Sequence, residues 1–145
     1  MFHNVEDIKT YMLAGKATLT LSSEKSGQHY TYLIKRAKDD NGEPKNTWFV
    51  GLLTGPSNYD DYNYMGILGA DGAFRTTAKS KIAQDSKPVL GFQYLVNNLM
   101  ADRMPPSMEV RHEGCCGRCG RKLTVPASVD SGIGPECAGK MGMGG

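Results

Sequence analysis

Ala17-Thr-Leu-Thr-Leu-Ser22 and His29-Tyr-Thr-Tyr-Leu-Ile-Lys-Arg36, joined by Glu24-Lys-Ser-Gly-Gln28, decide the fold. The first run alternates small polar with apolar residues, the two-residue period of a half-buried strand. The second is rich in aromatic and β-branched residues, which suit a pleated surface. The polar, glycine-containing link between them supplies a turn, so the pair reads as an antiparallel hairpin.

Moving outward, Asp39-Asp-Asn-Gly-Glu-Pro44 is a second turn centred on Asn41-Gly42. Trp48-Phe-Val-Gly-Leu-Leu53 is a third strand, more continuously apolar and therefore central. Thr54 to Asp61 is a loop, Tyr62–Leu68 a fourth strand, Ala70-Asp-Gly-Ala73 a turn, and Phe74 to Thr77 a short fifth strand. Upstream, Asn4 caps a helix running to about Gly15, with Val5, Ile8, Met12 and Leu13 on its inner face. Downstream the period changes. Val89, Phe92, Leu95, Val96 and Leu99 form a helical stripe over about residues 86–101, started by Ser86-Lys-Pro88 and able to cover one face of the sheet. Met104-Pro-Pro-Ser107 stops it.

The fold class is α+β: an antiparallel sheet of about five strands with two helices, plus a small C-terminal zinc-knuckle module. The expected division is an α+β domain over 1–104, a proline-containing connector over 105–110, a zinc-binding module over 111–141 and a disordered glycine-rich tail over 142–145.

Net charge is +2, and its placement is informative. Residues 1–110 carry 12 basic and 12 acidic side chains; the remainder carries 5 basic and 3 acidic ones. The chain therefore has no basic arm, and affinity for phosphate has to come from local clusters. The first residues, Met1-Phe-His-Asn-Val-Glu-Asp7, lack the basic and apolar regions of a signal peptide. No apolar run approaches the roughly 20 residues of a membrane span. The expected location is the cytoplasm, where four cysteines point to metal more than to disulfides.

The chemistry lies in His112-Glu-Gly-Cys-Cys-Gly-Arg-Cys-Gly-Arg-Lys122 and Gly132-Ile-Gly-Pro-Glu-Cys137. Cys116 and Cys119 have knuckle spacing: two intervening residues let both sulfurs reach one ion, and Gly120 follows where the turn needs conformational freedom. Pro135 suits the first turn of a short helix, which places Cys137 among free amides that favour a thiolate. A structural zinc takes four protein ligands. His112 is preferred as the fourth, because Cys115 adjoins Cys116 and neighbouring side chains turn apart; Cys115 remains the alternative. A redox role for the Cys116/Cys119 pair would need a strand leading into a helix, and the pair sits in a glycine-rich turn. A deaminase site is also a poor match. Glu113 directly follows His112, and the paired cysteines begin only three residues later with no proline before them.

The stretch Cys116-Gly-Arg-Cys-Gly-Arg-Lys-Leu-Thr-Val-Pro126, followed by Gly132-Ile-Gly-Pro-Glu-Cys137, resembles a short zinc-binding domain of unassigned function. That domain is found in phage, prophage and mobile-element proteins and as an appendage on some bacterial enzymes. The resemblance covers about His112 to Lys140. More weakly, Gly15-Lys-Ala-Thr-Leu-Thr20, Trp48 to Pro56 and Tyr62-Asn-Tyr-Met-Gly66 resemble the N-terminal part of small phage-encoded proteins that end in it. The resemblance implies a mobile-element origin and one zinc ion, and it supplies no activity.

Arg118, Arg121 and Lys122 lie on or beside the knuckle, where exposed cations meet phosphate or bases or simply solvate the module. Tyr30 and Tyr32 share one face of their strand, and Tyr62 and Tyr64 one face of theirs. Lys35, Arg36, Lys38, Arg75, Lys79 and Lys81 are near in sequence. Such a set is either a platform for unstacked bases or a row of half-buried sheet residues. The histidines, His3, His29 and His112, nominate no catalytic set. The expected function is that of a non-enzymatic zinc-binding accessory protein that binds nucleic acid, with single strands preferred. The alternatives are an inhibitor that binds a host protein such as a defence nuclease, and an enzyme with an unrecognised site.

Overall fold

The computed structural model describes residues 1–56, 61–114, 117, 118, 132–134, 137 and 141. Its elements are α1 (Val5–Met12), β1 (Lys16–Ser23), β2 (His29–Lys38), β3 (Pro44–Leu53), β4 (Tyr62–Leu68), β5 (Phe74–Arg75), α2 (Lys87–Met100) and β6 (Met108–His112). The strands form one antiparallel sheet in the order β5-β4-β3-β2-β1-β6. The first five make a meander with β3 in its middle, as the continuous apolar run of that strand predicts. The sixth returns after α2 to pair with the outer edge of β1.

The sheet therefore has six strands where about five were expected. The sixth arises from the stretch read as connector and start of the module. Its signal is weak: it is five residues long, follows Pro105-Pro106 and buries only Val110 fully, between Glu109 and Arg111. Pairing with β1, which places Val110 opposite Leu21, supplies what its own pattern lacks. The amide of Phe2 in turn donates to the Val110 carbonyl at 2.8 Å, so the N-terminus covers the new edge.

Both helices pack on one face. Asn4 caps α1 by accepting from the Asp7 amide at 2.9 Å, and the helix buries Ile8, Tyr11 and Met12. It ends at Met12 rather than near Gly15. Tyr11 is anchored by its hydroxyl, which donates to the Thr18 carbonyl and accepts from the Thr18 amide. The buried side of α2 is the predicted stripe of Val89, Phe92, Leu95, Val96 and Leu99, joined by Asn98. Each of the five apolar side chains contributes about 2 kcal/mol through removal from water. Phe92 meets Tyr32 and Phe74 at 4.9 Å between ring centroids in each case.

These helices meet Leu19, Leu21, Tyr32, Ile34, Trp48, Val50 and Val110, all from one face of the sheet. Ile133 and Cys137 belong to the same buried cluster. Residues on both sides of 105–110 thus share a core.

Candidate functional site

β6 ends at His112, and alternation along the strand fixes what lies around it. Val110 points into the core. His112 follows on the same side, its ring 5.7 Å from Phe2 and 5.6 Å from Tyr11. Its Nδ1 accepts the Gly114 amide at 3.0 Å. Glu113 lies on the other side of the strand. Its carboxylate accepts from the Thr20 hydroxyl, which in turn sits 2.7 Å from that of Thr31. His112 and Glu113 thus face opposite sides of the strand.

The segments bearing the other candidate ligands run close by. The Gly117 amide donates to the Gly132 carbonyl at 2.7 Å, and the Gly117 carbonyl accepts from the Lys16 amide at 2.7 Å. A Cβ added to Gly132 would lie 2.6 Å from the Tyr11 ring and 3.4 Å from Cδ2 of His112, so only glycine lets this loop pass the imidazole. Cys137 is buried, and its carbonyl accepts from the Met141 amide at 2.9 Å, a bond of α-helical spacing. Cys115, Cys116, Cys119, Arg121, Lys122 and the tail over 142–145 lie outside the described residues. Among the described residues no group of three or more potential ligands converges. His112 and the Gly132–Gly134 loop that leads to Cys137 are nevertheless neighbours. The set formed by one imidazole and three thiols suits zinc by its chemistry.

Arg118, the described member of the predicted cationic trio, is exposed, and its carbonyl oxygen packs on Gly15. A Cβ on Gly15 would sit 2.8 Å from that oxygen, and Gly15 has φ +146°. Glycine is required there on both counts.

The sheet aromatics divide. Tyr32 is fully buried; its hydroxyl donates to the Pro88 carbonyl at 2.6 Å, and burial, with Tyr30 nearby, pushes its ionisation well above the ordinary phenol range. It is a core residue. Tyr64 lies on the opposite, open face, half-buried, its hydroxyl 3.1 Å from that of Thr77. Beside it stands Phe49, 48% exposed, with the two rings edge-on at 6.3 Å.

Phe49 is the candidate functional residue that the sequence pattern does not single out. It lies inside the apolar run of β3, yet Trp48, Val50 and Leu52 face the helices while Phe49 and Gly51 alternate onto the other side. One cross-strand row on that side runs Lys16, Lys35, Phe49, Ile67, Arg75. Arg36, by contrast, turns to the helix side, its guanidinium 5.0 Å over the Trp48 ring and donating to the Lys45 carbonyl and to Oδ1 of Asn46.

Residues 106–142 match a family of unknown function, DUF6011. No curated protein and no solved structure matches the chain. No helix among the described residues is long and apolar enough to cross a membrane.

Proposed function

We propose that this chain is a zinc-stabilised, non-enzymatic accessory protein of a phage or mobile element that binds single-stranded nucleic acid. The observation that carries the reading is the open face of the sheet. Phe49 is exposed there, Tyr64 stands beside it, and Lys16, Lys35 and Arg75 lie in the row that Phe49 shares. An exposed aromatic takes the flat face of an unstacked base, and flanking cations follow the phosphates; such binding is tolerant of sequence. A duplex hides its base faces, so a stacking surface favours single strands.

The zinc would be held by Cys116, Cys119, Cys137 and His112, and its role is to close the module through which Arg118, Arg121 and Lys122 join the surface. The phage or mobile-element origin rests on the resemblance of the cysteine motif alone. Fluorescence anisotropy with a labelled oligothymidine tests the reading. The protein should bind it, and Phe49→Ala should weaken binding while leaving the fold intact. The neutral balance of residues 1–110 favours a second reading, an inhibitor that binds a host protein. Such a protein would ignore oligonucleotides at physiological salt and copurify with its target.

A further inference from the structure

At the end of the sheet, where β1 begins and β2 ends, the surface sinks into a recess of about 550 Å³. Lys16, Lys35, Arg36, Lys38 and Arg118 line it together with Gly15, and no carboxylate is among its described lining residues. Residues 1–110 have only 12 basic side chains against 12 acidic ones, and four of the 12 converge on this one place. Arg118 completes the wall from beyond β6, next to Gly117, whose carbonyl accepts from the Lys16 amide at 2.7 Å.

Two details point to an anionic occupant. Lys16 and Lys35 are direct cross-strand partners. Like charges so placed, about 5 Å apart at Cβ, repel, and an anion between them removes the repulsion. The nearest acid in sequence, Asp39, is occupied within its own turn, where its Oδ1 accepts the amides of Asn41 and Glu43, each at 2.9 Å.

We propose that this recess binds a backbone phosphate of the strand whose base stacks on Phe49. The inference rests on the proposed single-strand binding and deepens it. Lys35 belongs both to the recess and to the row of Phe49, so one strand passes from stacking surface to recess without a break. It also gives the C-terminal module a part in binding, since Arg118 lines the same recess.

The test compares Lys16→Gln/Lys38→Gln with Phe49→Ala in oligothymidine binding across a salt series, with the charge-keeping Lys16→Arg/Lys38→Arg as control. Each lost phosphate contact on a single strand removes about 0.7 from the slope of log affinity against log salt. The glutamine pair should therefore lower the slope by about 0.7, the share of the one phosphate held in the recess, and weaken binding at low salt roughly tenfold or more. Phe49→Ala should weaken binding with the slope unchanged, and the arginine pair should keep the slope. Wild-type protein that binds in a Phe49-dependent way, with the glutamine pair altering neither slope nor affinity, would overturn the recess while leaving the stacking surface standing. Wild-type protein that binds no oligonucleotide at low salt would overturn both.

Discussion

Lys16 and Lys35 face each other directly across β1 and β2, on the side of the sheet that neither helix covers. A pairing of like charges within a hairpin is unfavourable for stability, since it costs up to about 1 kcal/mol relative to a neutral pair. Lys16→Gln should accordingly leave the protein as stable as before or raise its stability by a few tenths of a kcal/mol, read from urea unfolding. A loss beyond about 1 kcal/mol would mean that Lys16 has a structural partner and does not stand in a ligand site.

Tyr11 ties α1 to β1 through the backbone of Thr18 and also forms the surface on which Gly117 and Gly132 pack. Tyr11→Phe removes the hydroxyl and leaves the Thr18 amide without its partner, whereas the Thr18 carbonyl keeps the Glu113 amide at 3.1 Å. The expected cost is about 1–3 kcal/mol, with the sheet intact by circular dichroism. Gly117→Ala should cost more, because the added Cβ would lie 2.5 Å from the Tyr11 ring.

Protein purified without chelator and with its thiols reduced should hold one zinc per chain by elemental analysis. Because Ile133 and Cys137 share a core with Ile8, Leu19 and Val110, Cys119→Ser should lower the midpoint of a single transition. Two separate transitions would show that the module folds independently of the sheet. His112→Ala should weaken zinc binding strongly and Cys115→Ser should do little; the reverse pattern would move the fourth ligand to Cys115.

The hairpin, the middle strand and the stripe of α2 are legible in the sequence because each buries several side chains at one period. β6 is not, since one buried valine in five residues leaves almost no periodicity, and its partner lies about ninety residues away in the chain. Phe49 is obscured for a different reason. An aromatic inside an apolar run reads as core, and only the placement of both helices on one face leaves the alternate positions of β3 open to water. The spacing of the cysteines points to a metal by itself, whereas the recess leaves no mark in the sequence. Lys16, Lys35 and Lys38 meet only through strand pairing, and Arg118 joins them only through the docking of Gly117 against Lys16.

Arg118→Ala with Arg121→Ala separates binding from folding, because neither residue is a predicted zinc ligand. Zinc content should be unchanged, and the salt slope for a single strand should fall by about one to two units. An unchanged slope would confine binding to the sheet and return these arginines to the role of solvating the module.

The most direct measurement is the affinity of the intact protein for a single-stranded oligonucleotide as salt is raised from about 50 to 200 mM. With the recess cations and the knuckle arginines on phosphates, log affinity should fall linearly and steeply with log salt, and single strands should be preferred to duplex of the same sequence. Absence of binding to any RNA or DNA at the lowest salt would contradict the account and leave the inhibitor of a host protein as the reading to pursue.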